Sequence, residues 1–335
     1  MTHAQKIDLA RLLSPDARRT PEMEALWQWI VAEDAKDPDT ARALTAQEHR
    51  ALAARLNRRW NVDLPEMAQI ETLDIPGLAG APAMRARMFT PPDAKPGCIF
   101  FIHGGGWVIC SIETHEQMIR LLAREARTRV LAIDYRLAPE HPFPAGLEDC
   151  QAAWRWLVAQ GARTPGLDGP LAIAGDSAGA NLALGTIMRE SELKRRIPDA
   201  GLLFYGVFSS DLESPSHRRF STGYGLTQEG MSAFFDYYAP GTGPDSARHE
   251  TLVQPLAAAE AVLARLPPLF LNAAGLDVLL CDTLKFVDRL RHAGSQHEFV
   301  LHGGVHHGFM QFTNRLEEAR RAAKLAADYF TRMLR

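Results

Sequence analysis

Gly175-Asp176-Ser177-Ala178-Gly179 sets a serine between glycines two positions away on either side. A G-x-S-x-G pattern arises by composition about 0.1 times in a chain of this length, so its context must carry the reading. It follows the apolar run 171–174 and precedes 178–188, which reads as a helix. At a strand-to-helix turn the backbones crowd, so small residues flank a serine held in a strained conformation with its hydroxyl exposed. The helix N-terminus beneath favours negative charge. A glycine-rich helix cap is the bland alternative. Upstream, His103-Gly104-Gly105-Gly106-Trp107 follows the apolar run 98–102. Bare backbone there can aim N–H groups at a developing oxyanion. Gly105, Gly106 and Ala178, directly after the serine, are the expected donors. Neither a Lys nor a Ser/Thr completes a phosphate loop.

A serine hydroxyl is a weak nucleophile without an adjacent base, which a carboxylate must orient. Downstream of Ser177, the strand-like run 269–273 leads into Gly275-Leu276-Asp277. Asp277 therefore lies just past a strand end, where catalytic loops gather in open α/β sheets. Asp282 competes with it, but falls where the next helix begins and reads as an N-terminal acid. Three histidines, His302, His306 and His307, follow the run 297–301 as candidates for the base. As a metal set they are poor, because glycines interrupt any helix and no acid is near in sequence. No metal and no cofactor is expected. His103 reads as orienting its own loop, and His49 and His217 as surface or loop positions. Pro139, Pro142 and Pro144 stiffen a loop in which Glu140 and His141 read as structural contacts.

Elements able to hold these residues alternate along the chain. Strand-like runs at 69–75, 84–89, 98–103, 129–134, 170–174, 201–208, 269–273 and 297–301 are separated by helical stretches at 113–127, 146–160, 178–190, 281–293 and 314–334. The first two runs read as a hairpin. The continuous apolar runs imply strands buried on both faces, and the alternation implies a mostly parallel eight-stranded sheet flanked by helices. Residues 1–65 read as helical, with Thr20-Pro21 and Thr45 through Glu48 as capped starts. They are too few for a core of their own and imply an extension packed on something larger. Residues 209–250, rich in aromatic residues and breakers, read as an insertion.

Taken together, HGGG at 103–106, Asp134-Tyr-Arg-Leu-Ala-Pro-Glu-His-Pro-Phe-Pro-Ala145 and GDSAG at 175–179 resemble the bacterial hormone-sensitive-lipase-like esterases of the α/β-hydrolase superfamily. The likeness runs from about residue 70 to the C-terminus. Ala180 departs from it, standing where relatives often carry a third glycine, in the first helical turn. The resemblance implies an α/β-hydrolase fold with the triad in the order serine, acid, histidine. It points to Asp277 as the acid. It selects His307 as the base, because the family's histidine directly precedes Gly-Phe. It also implies a two-part helical cap from 1–65 and 209–250 over a catalytic domain of 66–208 and 251–335. The expected substrate is a small-molecule carboxylic ester with a short to medium acyl chain. Trp107, Asp176, Phe208 and Tyr224 are the expected substrate-contacting residues, although each aromatic residue of the insertion could equally pack it onto the sheet. By family habit the chain would form a homodimer through 297–301. Amide, carbamate or thioester hydrolysis would use the same triad. A non-catalytic ligand-binding protein is the alternative from another class, as in plant gibberellin receptors, which resemble these esterases but lack the base.

Composition sets the outer bounds. The 335 residues carry a formal net charge of −3 and 46% hydrophobic residues, the balance of a globular chain with no basic block for nucleic acid. Cys98, Cys110, Cys150 and Cys281 lie far apart without C-x-x-C spacing, which argues for free thiols and a cytoplasmic setting. The opening residues lack the apolar segment of a signal peptide, and no apolar run reaches the roughly 18 residues of a membrane helix.

Overall fold

The computed structural model describes residues 8–14, 16–161 and 163–333. Residues 1–7, on which most of the signal-peptide reading falls, lie outside them. In chain order the helices are α1 (Leu9–Leu12), α2 (Pro21–Asp34), α3 (Ala46–Asn57), α4 (Ile112–Ala126), α5 (Ala145–Gly161), α6 (Ala178–Glu192), α7 (Pro215–Arg219), α8 (Gln228–Tyr238), α9 (Glu260–Leu263), α10 (Leu280–His292) and α11 (Glu317–Met333). The strands are β1 (Gln69–Ile75), β2 (Met84–Thr90), β3 (Lys95–Ile102), β4 (Thr128–Ile133), β5 (Leu171–Asp176), β6 (Ala200–Phe204), β7 (Leu269–Leu276) and β8 (His297–His306). They form one sheet in the order β1-β2-β4-β3-β5-β6-β7-β8. β2 runs antiparallel to both β1 and β4, and every other pairing is parallel.

The two-residue period of the strands divides the core between two faces. Phe100, Ile102, Leu131, Ile133 and Ile173 pack with apolar side chains of α5, α6 and α10. Ile99, Phe101, Val130, Ala132 and Ala172 pack with those of α2, α4 and α11. The central strands are thus covered on both sides, as continuous apolar runs require. Met23, Leu26 and Ile30 of α2 are buried in the second cluster, so the N-terminal helices rest on the sheet's own core. Their starts are capped as the sequence requires. Met23 N–H donates to Thr20 Oγ1 at 3.2 Å, and Thr45 and Glu48 form a reciprocal capping box.

The largest departures from the sequence reading are in two strands. β6 stops at Phe204, where Tyr205 takes a positive φ of 36°. β8 continues past the run 297–301 through Gly303 and Gly304 to His306. There the β7–β8 register shifts between Ala274 and Leu276, a bulge that re-aims the strand end.

Candidate active site

The turn carrying Ser177 joins β5 to α6. Ser177 has φ 55° and ψ −121°, a region seldom populated by a side-chain-bearing residue. Its amide donates to the Phe204 carbonyl at 2.9 Å, and its carbonyl accepts from Val207 at 3.3 Å, so the sheet's next strand holds the turn in place. The flanking glycines are required by close approach. A Cβ on Gly175 would collide with the Gly179 carbonyl, and one on Gly179 with the Ile102 carbonyl. The helix N-terminus lies directly behind the serine, favouring anionic character at this point.

His307 follows β8 and Asp277 follows β7, neighbouring strands whose ends bring the two together. His307 Nε2 lies 2.8 Å from Ser177 Oγ, and His307 Nδ1 lies 2.7 Å from Asp277 Oδ2. The carboxylate at Nδ1 fixes the proton on that nitrogen, leaving the Nε2 lone pair facing the serine hydroxyl. Asp277 is 2% exposed, and its other oxygen accepts from the Leu279 amide at 3.0 Å. Tyr205 packs its ring across that of His307, with centroids 5.0 Å apart. His302 lies on β8 and pairs with Glu318 of α11 at 2.5 Å. Asp282 is fully buried in the first turn of α10, 3.9 Å from His217 Nδ1, and His217 is itself buried although the sequence places it on a surface or loop. Neither His302 nor Asp282 meets the serine.

The glycine loop after β3 lies against the Ser177 turn. The Gly104 amide donates to Asp176 Oδ1 at 2.9 Å, while those of Gly105, Gly106 and Ala178 have no protein acceptor among the described residues. Gly105 needs its missing side chain: φ is 108°, and a Cβ would strike the Ile109 carbonyl. Behind the loop lies a buried polar cluster. His115 Nε2 is 3.3 Å from Asp176, and His103 Nδ1 is 2.7 Å from the Gly104 carbonyl. Burial opposes charge on Asp176, but His115, the Gly104 N–H and His103 together hold its carboxyl below the usual value. Burial, reinforced by His115, pushes His103 down to about 4, so it stays neutral.

Of the expected substrate-contacting residues, three are elsewhere. Asp176 is 2% exposed and faces back to Gly104 and His115. Trp107 is 1% exposed and stacks on Tyr238 of α8 at 4.2 Å. Phe208 is completely enclosed against Phe286 of α10. The size and apolar character of Trp107 and Phe208 serve the core rather than a cleft wall. Tyr224 is half-buried beside His306. Phe234 of α8 is half-buried with its ring against Gly106. Of the neighbours that the sequence did not single out, His115 and Tyr205 reach the site by long-range packing and carry no local signal.

A family profile described as alpha/beta hydrolase fold matches residues 99–311, the stretch carrying every one of these groups. The chain belongs to the α/β-hydrolase family. This α/β-hydrolase is 35% identical over 257 residues to carboxylesterase NlhH of Mycobacterium tuberculosis (strain CDC 1551 / Oshkosh), covering 74% of this chain and 77% of that protein. In three dimensions it resembles the ester-hydrolase EH1AB1 from the metagenome of Lake Arreo, solved with a bipyridine phosphonate derivative. The TM-score is 0.85 at 31% identity, over 94% of this chain and 98% of the other. An esterase from the bacterial hormone-sensitive lipase family superposes with TM-score 0.81 at 28% identity, over 95% and 99%. Within the α/β-hydrolases the chain falls in the hormone-sensitive-lipase-like group and is a serine carboxylesterase. Among the described residues no helix is long and apolar enough to cross a membrane.

Proposed function

We propose that this carboxylesterase cleaves esters with short to medium acyl chains through an acyl-enzyme on Ser177. The observation that carries the reading is the unbroken chain of two contacts, 2.8 and 2.7 Å, from Ser177 through His307 to buried Asp277. As Ser177 Oγ attacks the ester carbonyl, His307 Nε2 takes its proton and Asp277 stabilises the resulting imidazolium. The amides of Gly105, Gly106 and Ala178 receive the oxyanion, preorganised by the backbone and so free of reorganisation at the moment of reaction. His307 returns the proton to the leaving alcohol. Water then attacks the acyl-enzyme with His307 again as base, and no metal or cofactor takes part in this scheme.

Acyl length is limited by what stands beside the oxyanion loop. Phe234 lies against Gly106, while Trp107, Phe235 and Tyr238 fill the space behind. In this reading 1–65 and 209–250 form the cap, and 66–208 with 251–335 the catalytic domain. A second copy would pair along β8, an edge strand, and four unpaired cysteines suit the cytoplasm. The acyl preference is tested with a series of p-nitrophenyl esters. kcat/KM should peak at short to medium chains, and a continued rise beyond about ten acyl carbons would sink it.

A further inference from the structure

Arg19, just ahead of α2, joins three separate pieces of chain. Its Nε donates to His306 Nε2, one guanidinium nitrogen to Glu24 at 2.9 Å, and the other to the Gly223 carbonyl in the insertion. The guanidinium faces Trp27 of α2 at 5.3 Å and Tyr224 of the insertion at 5.1 Å. His306 is boxed by the same two rings, with centroids 4.7 and 5.9 Å away. The segment is fastened once more by the Thr20 amide, which donates to the Gly304 carbonyl at 3.0 Å. Only 16% of the Arg19 side chain is exposed. All of this bears on the last residues of β8, immediately before His307.

We propose that Arg19 is a positioning residue, a pin that ties both cap pieces to the end of β8 and so holds His307 in reach of Ser177. The proposal rests on His307 being the general base. The pin works only while His306 presents a lone pair at Nε2, so the arrangement demands a neutral imidazole there. Facing His306 are Arg19 from the segment before α2, Glu24 and Trp27 from α2 and Tyr224 from the insertion. Burial first, then Arg19, pushes His306 down to about 3, with Glu24 opposing. Without the guanidinium, burial still disfavours charge but Glu24 favours it unopposed, and His306 takes a proton at higher pH. That proton puts a positive charge one residue from the base, opposing the imidazolium that His307 must form.

The test is a pH series of kcat and KM on p-nitrophenyl butyrate, with circular dichroism as a check of folding. Arg19→Ala should lower kcat about tenfold with KM within about threefold. The acid limb of log kcat/KM should steepen from a slope of about 1 towards about 2, because two protons now inactivate. Arg19→Lys keeps the positive charge and should keep the shallow limb, with an intermediate kcat. Arg19→Ala combined with His306→Phe removes the second titrating group and should restore the slope. Should Arg19→Ala not fold, Arg19→Gln carries the same expectation. A wild-type kcat and slope in the Arg19 variants, or a steep limb that survives His306→Phe, would overturn the proposal. Ser177→Ala run alongside separates the failures. If ester turnover does not depend on Ser177, the reading of the whole site falls. If it does and the Arg19 variants behave as wild type, only the pin falls.

Discussion

Asp176 is the residue whose chemistry and position contrast most. It adjoins Ser177, yet its carboxylate faces back to hold the Gly104 amide. An ionised group without solvent needs such partners, and the Gly104 N–H and His115 supply them. Because that contact fixes the loop carrying Gly105 and Gly106, its loss should act on the transition state more than on ester binding. Asp176→Ala should therefore lower kcat by about 10- to 100-fold, less than the roughly 10²–10³-fold of an oxyanion donor removed outright, with KM little changed. Steady-state kinetics on a soluble ester decide this, and a change confined to KM would contradict it. At this scale the sequence was informative where chemistry is local. Ser177 stands in a five-residue pattern, and Asp277 lies past a strand end. Among His302, His306 and His307 the residues alone leave the base open, and it is the family resemblance, with its histidine directly before Gly-Phe, that points to His307. Trp107 and Phe208 were misplaced because an aromatic side chain suits a buried core as well as a cleft wall. Arg19 and His115 were invisible because their partners lie far along the chain, at His306 and Asp176.

Among the elements, the β5–α6 turn depends on two backbones meeting without side chains between them. Gly179 has the Ile102 carbonyl where its Cβ would be. That neighbour is backbone in a central strand paired on both sides, so it cannot step aside. Gly179→Ala should thus destabilise the fold by about 1–3 kcal/mol, the scale of an overpacked core site. It should also lower activity by displacing Ser177 from His307. Thermal unfolding beside kinetics checks it, and an unshifted Tm with full activity would contradict it. The strands were largely legible because continuous apolar runs demand burial on both faces. Their ends were not. The apolar run ends at Leu301, whereas edge strand β8 goes on through Gly303 and Gly304 by way of a bulge opposite Ala274–Leu276. The run 201–208 read as one strand, but Tyr205 turns the chain out of the sheet toward His307.

At the scale of the molecule, the sheet joins two apolar layers, and one cost is a buried acid at their rim. Asp282 is fully enclosed, and burial raises its carboxyl to about 7, with Lys285 partly offsetting and Asp211 and Asp277 adding to the rise. The folded form therefore binds this proton more tightly than the unfolded chain, whose carboxyl titrates near 3.8. From about pH 4 to about 7 the folded state holds the extra proton, so this group's contribution to stability falls as pH rises. Asp282→Asn removes the titration, and its Tm relative to wild type should climb between pH 4 and pH 8. A constant difference would contradict it. The central claim is that Ser177 is the nucleophile of an ester hydrolase whose base and acid are His307 and Asp277. Its most direct test is turnover of p-nitrophenyl butyrate by Ser177→Ala beside wild type. The geometry predicts a fall in kcat of at least about 10³-fold in a variant that remains folded; turnover unchanged within about threefold would contradict it.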